Sequence, residues 1–332
     1  MAIGTVDGQV YLADWDRNQQ MGHATMPAMA PHGQQLGADE GINVLAVAWL
    51  RRDPTRFVAA AAHGGAALFS VDLSSTTAHL AEEAREALEA DGSRPWGTSS
   101  RSAPAAAAAA SSSSAPAADP NALSLVHRFN APLAPKLTSM HCNADDTLLS
   151  GSGYTHSVFI SDMATGFKLR TLKNIHEGHV NIARFANQLP YLLLTSSFDH
   201  SCKMFDLRSN HTVRRGDVDV PVPIYTCSSR SGNVMVCFSP NDTYFLSSAV
   251  DNEVRQYHVR DGSLHLEYDI PKHNIATNYT RSYYANEGEC IISGASNSDL
   301  LYVASSVDGS IIDTVDMVSA EAALVRAPIS WL

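Results

Sequence analysis

No stretch of this chain holds the roughly eighteen consecutive apolar residues of a membrane-spanning helix. Nor is there a basic stripe. The 23 Lys and Arg are outnumbered by 34 Asp and Glu, for a net charge of −11, which argues against nucleic acid as the main ligand. Five cysteines (Cys142, Cys202, Cys227, Cys237 and Cys290) form no Cys-x-x-Cys pair and cannot all pair with one another. Four of them lie in apolar, strand-like runs. They read as buried free thiols of a reducing compartment, not as a disulfide framework or a zinc site. The first residues lack the basic and apolar regions of a signal peptide. A cytoplasmic or nuclear location is therefore expected, with no membrane partner.

Catalytic constellations are scarce as well. His176-Glu177-Gly178-His179 has i,i+3 spacing in a turn context, not the helical spacing of a zinc protease. Gly151-Ser152-Gly153 lacks the following helix of a dinucleotide loop. Asp145-Asp146, Asp313 and Asp316 read as turn and strand-end residues. The expectation is a protein that is not an enzyme and has no cofactor, catalytic residue or metal.

What is present is a repeat. Turn positions recur at Asp7, His63, Thr155, Asp199, Asp251 and Asn297, each between two strand-like runs. The last four are separated by 44, 52 and 46 residues, close to the roughly 40–45 of a four-stranded propeller blade. This spacing predicts an all-β propeller with six visible blades, the first incomplete, closing as six or seven. Half-blades at the two ends would pair, or the chain is a piece of a longer one. The gap from His63 to Thr155 is 92 residues, and its excess is read as an inter-blade insertion. Residues 1–74 are assigned to the first blades, 75–91 to a short helix, 92–122 to a disordered Ala/Ser/Pro linker and 123–332 to the remaining blades. The linker has no apolar face with which to offset its ordering entropy.

The most specific stretch runs from Tyr191 to Arg208: strand, tight turn, strand, ending in Phe205-Asp206-Leu207-Arg208, with Gly178-His179 upstream. With it go Ser197-Phe198-Asp199, the run from Gly232 to Pro240, the run from Ser248 to Gln256, the run from Asn278 to Tyr284, and Ile291-Ile292-Ser293-Gly294. In these the chain resembles WD-repeat β-propeller proteins of the transducin-like group, and among them plant members. The resemblance implies a scaffold that binds other proteins. It also implies a buried hydrogen-bonded network of His179, Ser196 or Ser197, Asp199 and Phe205, the last unable to donate because it lacks an indole N–H. The alternative is that His179 and Asp199 are ordinary surface residues.

A sharper resemblance concerns Arg208. The segment ending there is similar to the box by which some WD-repeat proteins dock on the propeller adaptor of cullin–RING ubiquitin ligases, with the terminal Arg as contact. This makes a ubiquitin-ligase substrate receptor the second functional reading. Arg260 matches more weakly, since Tyr257 and His258 replace the aromatic–Asp pair. The competing reading of Arg208 is a plain strand end with the Arg paired to a neighbouring Asp. Tyr279, Arg281, Tyr283 and Tyr284 are read either as an aromatic–Arg hot spot or as a packed strand with one solvent Arg.

Overall fold

The computed structural model describes residues 2–4, 9–14, 19–25, 44–71, 123–130, 132–270, 281–295 and 298–317. They form six antiparallel sheets and one extra hairpin. Sheet one has three strands, β1 (Ala2–Gly4), β2 (Gln9–Asp14) and β3 (Gln19–Thr25). Sheet two has β4 (Val44–Trp49), β5 (Arg56–Ala61), β6 (Ala66–Val71) and β7 (Leu123–Arg128). Sheet three has β8 (Leu137–Cys142), β9 (Leu148–Gly153), β10 (Val158–Asp162) and β11 (Lys168–Leu172). Sheet four begins with β12 (Val180–Phe185), β13 (Leu192–Ser197) and β14 (Ser201–Asp206). A two-stranded hairpin, β15 (Thr212–Arg215) with β16 (Val218–Pro221), then intervenes before the fourth strand, β17 (Tyr225–Ser228). Sheet five has β18 (Asn233–Phe238), β19 (Tyr244–Ala249), β20 (Val254–His258) and β21 (Leu264–Tyr268). Sheet six has β22 (Ser282–Ala285), β23 (Cys290–Ala295), β24 (Ser298–Ser305) and β25 (Ile311–Asp316).

The first strands of successive sheets are neighbours: β1 with β4, β4 with β8, β8 with β12, β12 with β18 and β18 with β22. This is the radial arrangement of a propeller. Sequence explains the gradation outward. The second strands, such as Phe57–Ala61 and Leu193–Ser197, are buried almost throughout because sheets cover both their faces. They read as continuous apolar or small-residue runs. The fourth strands β7, β11, β21 and β25 are largely exposed. Between sheets the core fills the seams. Leu50, Phe129, Leu137 and Leu149 pack between sheets two and three. Ile160, Phe185, Leu193 and Phe205 fill the next seam, and Leu194, Met204, Val236 and Phe245 the one after.

Two irregularities repeat. Near its start each of β4, β8, β12 and β18 has a register shift against the second strand. Such bulges bend and twist a strand locally. The turns from third to fourth strand place Gly166, Gly262 and Gly309 at positive φ. At Gly262 the need is plain: φ is +72° and an added Cβ would stand 2.4 Å from the Tyr225 ring.

The insertion sits elsewhere than expected. β7 follows it and pairs with β6, Val71 standing opposite Leu123. It therefore interrupts sheet two between the third and fourth strands and does not separate two blades. The spacing of second-to-third-strand turns could not reveal this, because a fourth strand lies beyond the turn that marks its blade. The readings of 75–91 as a helix and 92–122 as a disordered linker fall outside the described residues. So do Asp7, Asn297 and residues 318–332. Among the described residues no helix is long and apolar enough to cross a membrane.

Candidate functional site

Strand direction divides the loops between two rims. Connections from first to second and from third to fourth strand lie on one rim. Second-to-third turns and the links between sheets lie on the other.

On the second rim, sheet four carries the hydrogen-bonded network, but with a different histidine. His176 Nδ1 donates to Asp199 Oδ2 at 2.9 Å, and the Thr195 hydroxyl reaches His176 Nε2 at 2.7 Å. Ser201 donates its hydroxyl to Asp199 Oδ1 at 2.6 Å, and the Glu177 N–H donates to Asp199 Oδ2 at 2.9 Å. Lys203 Nζ caps the same loop by donating to the Ile175 carbonyl at 2.7 Å. His179, the expected member, is exposed and instead packs at a tilt against Tyr154 and His156. It immediately precedes β12, whereas His176 lies four residues ahead of Val180 and has enough chain to fold back over the sheet. That spacing is the signal in the sequence that could have identified the right residue.

Pairing along β13 explains the other corrections. Thr195, opposite Lys203, shares a face with Phe205, opposite Leu193. Ser196 lies on the other face, opposite Cys202, and its buried hydroxyl has no hydrogen-bond partner among the described residues. Ser197 stays close to the turn, its Oγ accepting the Asp199 N–H at 3.1 Å. Phe205 contributes packing only, within the seam between sheets three and four.

Burial lowers the pKa of His176, with the Asp199 hydrogen bond working the other way, so the ring is held neutral. For Asp199, burial alone would raise the carboxyl. Donation from His176 and Ser201 and the Glu177 N–H together outweigh it and hold the group well below the usual carboxylate range. Burial also pushes the Cys142, Cys202 and Cys227 thiols up to about 12. They stay protonated at neutral pH and are poor nucleophiles.

The first rim carries Arg208. Its Nη2 donates to Asp206 Oδ2 at 2.7 Å and its Nε to Asp206 Oδ1 at 3.0 Å. The guanidinium lies flat on Tyr191, 3.4 Å from the ring centroid. Its side chain remains 62% exposed. The backbone beneath is pinned by Arg170, whose Nη1 donates to the Leu207 and Ser209 carbonyls. In sheet four the usual Gly-bearing turn is replaced by the excursion through β15 and β16, and Arg208 stands at its root. Arg260 occupies the corresponding place in sheet five. Among the described residues it pairs only with the adjacent Asp261 and has no aromatic ring beneath it, and its side chain is 87% exposed.

Between these two arginine-bearing turns runs a groove of about 470 Å³, lined by Leu189, Met204, Ile224, Tyr225 and Val259 with Arg260 at its edge. The expected aromatic–Arg cluster is not one surface. Arg281 and Tyr283 are exposed, while the half-buried Tyr284 turns into the seam between sheets five and six. There its hydroxyl has no partner among the described residues and burial raises its pKa. Tyr279 lies outside the described residues. Among those residues no group of three or more His, Cys, Asp or Glu is arranged to hold a metal ion.

Residues 221–258, spanning most of sheet five, match the family model of the WD domain, G-beta repeat. Radially arranged antiparallel sheets define a β-propeller, and the matched repeat makes the chain similar to WD-repeat proteins. Over 303 residues it is 32% identical to Protein DWD HYPERSENSITIVE TO UV-B 1 of Arabidopsis thaliana. The alignment covers 91% of this chain, but the chain spans only 31% of that relative's length.

Proposed function

We propose that this propeller assembles other proteins without catalysing a reaction, and that it docks through the Arg208 rim on the adaptor of a cullin–RING ubiquitin ligase as a substrate receptor. The observation that carries the reading is the state of Arg208. A planar guanidinium clamped by Asp206 and stacked on Tyr191 is oriented before any partner arrives. Interface arginines of this kind lose little rotamer freedom on binding. The relative aligned over most of the chain carries DWD in its name, in keeping with a docking box of this type.

A scaffold with no ligase link is the second reading. The Arg208–Asp206 pair favours it, because a guanidinium already satisfied within its own strand end gains less from an outside acid. Titration of the purified adaptor into wild type, Arg208→Ala and Arg260→Ala separates the two. The receptor reading expects roughly thirtyfold weaker binding for Arg208→Ala and a smaller loss for Arg260→Ala. Equal binding by all three proteins, or none by wild type, leaves the plain scaffold.

A further inference from the structure

On the rim opposite Arg208, at the junction of sheets three and four, four side chains form a continuous run. Lys136 Nζ stands 5.9 Å from the centroid of the Tyr154 ring. Tyr154 and His179 have centroids 5.2 Å apart, and His179 and His156 5.8 Å apart. All four residues are exposed, Tyr154 by 59%. Backbone bonds lock the three segments together. The Tyr154 N–H donates to the Lys136 carbonyl at 3.2 Å, the Ile175 N–H to His156 at 2.9 Å, and the Val180 N–H to Thr155 at 2.9 Å. An added Cβ at Gly153 would lie 2.4 Å from the Lys136 carbonyl oxygen, so this close approach of the two segments requires glycine.

Lys136 has no acidic partner among the described residues, and the exposed His179 ring offers a further donor, whereas His156 already donates its Nδ1–H to the His176 carbonyl at 3.1 Å. One acid, the exposed Glu177, stands in the same loop. In a chain of net charge −11 this is an unusual place for cation and donors to collect. An acidic ligand is repelled by the molecule as a whole and attracted here. Tyrosine with a fixed neighbouring cation is also the composition of binding hot spots.

We propose that this patch docks an acidic peptide segment of a partner protein, its carboxylates meeting Lys136 and His179 and an apolar side chain lying on Tyr154. Because the patch is built in advance, little conformational entropy is lost on binding. The assignment does not depend on the Arg208 reading, since the two surfaces lie at opposite ends of the strands.

The test is fluorescence anisotropy with the full chain and two labelled probes: a short Asp/Glu-rich peptide with a central Phe, and the same peptide with Asn and Gln for its acids. Wild type is expected to bind the acidic probe, to ignore the neutral one and to weaken at about 0.5 M salt. Lys136→Glu and Tyr154→Ala should each weaken binding at least about tenfold with unchanged melting temperature. Glu177→Gln should strengthen it, an effect that damage to the fold cannot mimic. Failure of wild type to bind the acidic probe, equal binding of both probes, or an unchanged affinity in Glu177→Gln and Lys136→Glu would overturn the proposal. So would binding to phosphatidylserine-containing vesicles in place of the peptide.

Discussion

Asp199 shows how much one carboxylate can organise. It accepts from an imidazole, a hydroxyl and a main-chain N–H at once. Asp199→Ala strands the His176 donor inside the sheet junction and is expected to cost about 1–3 kcal/mol, read as a lower denaturation midpoint. His179→Ala, at the position the motif pointed to, should leave that midpoint unchanged. The pH dependence has a definite sign. His176 binds its proton less readily folded than unfolded, so stability is full above its ordinary value of 6.5 and declines as pH falls below it. Asp199, also depressed, adds a second loss as pH falls below its ordinary 3.8. His141, held neutral by burial and by Arg184, contributes with the same sign as His176. Melting temperatures of wild type should therefore fall between about pH 7.5 and about pH 5, and His176→Gln should show a shallower slope. An identical slope in the variant contradicts the neutral, buried assignment.

At the scale of elements, neighbouring sheets are stitched by aspartates in their first-to-second-strand loops. Asp146 accepts from the Arg51 and Arg52 N–H groups at 3.0 and 2.6 Å. Asp242 does the same for Asn187 and Gln188 at 2.8 and 2.7 Å. Arg51 then reaches past sheet three, its two terminal nitrogens donating to the Asn187 carbonyl and side chain at 3.0 and 2.7 Å. Both aspartates sit at positive φ, a conformation Asp tolerates better than most residues. Asp242→Ala removes the acceptor of the half-buried Asn187 N–H and the exposed Gln188 N–H and should destabilise by about 1 kcal/mol in chemical denaturation. Asp261→Ala removes an exposed pair with Arg260 and the exposed hydrogen bonds from the Ser263 N–H and hydroxyl, groups that water can serve, and should shift the midpoint less than Asp242→Ala. None of these stitches was legible beforehand. Asp145-Asp146 was read as a turn, which it is, but no local pattern says whose N–H a turn carboxylate will accept.

Across the whole molecule, the sheets themselves were readable because turn residues recur at blade spacing and the strands between them are apolar. Asp199 and Arg208 were legible for the same reason, each tied to a turn or strand end. What escaped was long-range. The histidine of the network depended on which of two nearby residues could fold back, and the insertion on which sheet claimed β7. Its placement yields a further prediction. Val71 and Leu123 are direct partners, so residues 72–122 leave and re-enter the sheet at paired positions. Replacing them with an Asn-Gly turn should give a folded protein with an unchanged cooperative melt. Loss of the melt would mean that the segment is needed to hold β7 in place.

The central claim, that the Arg208 rim is the docking face for a ligase adaptor, is tested most directly by hydrogen–deuterium exchange of the full chain with and without purified adaptor. The account predicts protection confined to the segments around Tyr191 and from Asp206 to the β15–β16 hairpin, extending to the groove at Ile224. The segments carrying Tyr154 and His179 should exchange as before. Protection of that opposite rim instead, or no protection anywhere, would contradict it.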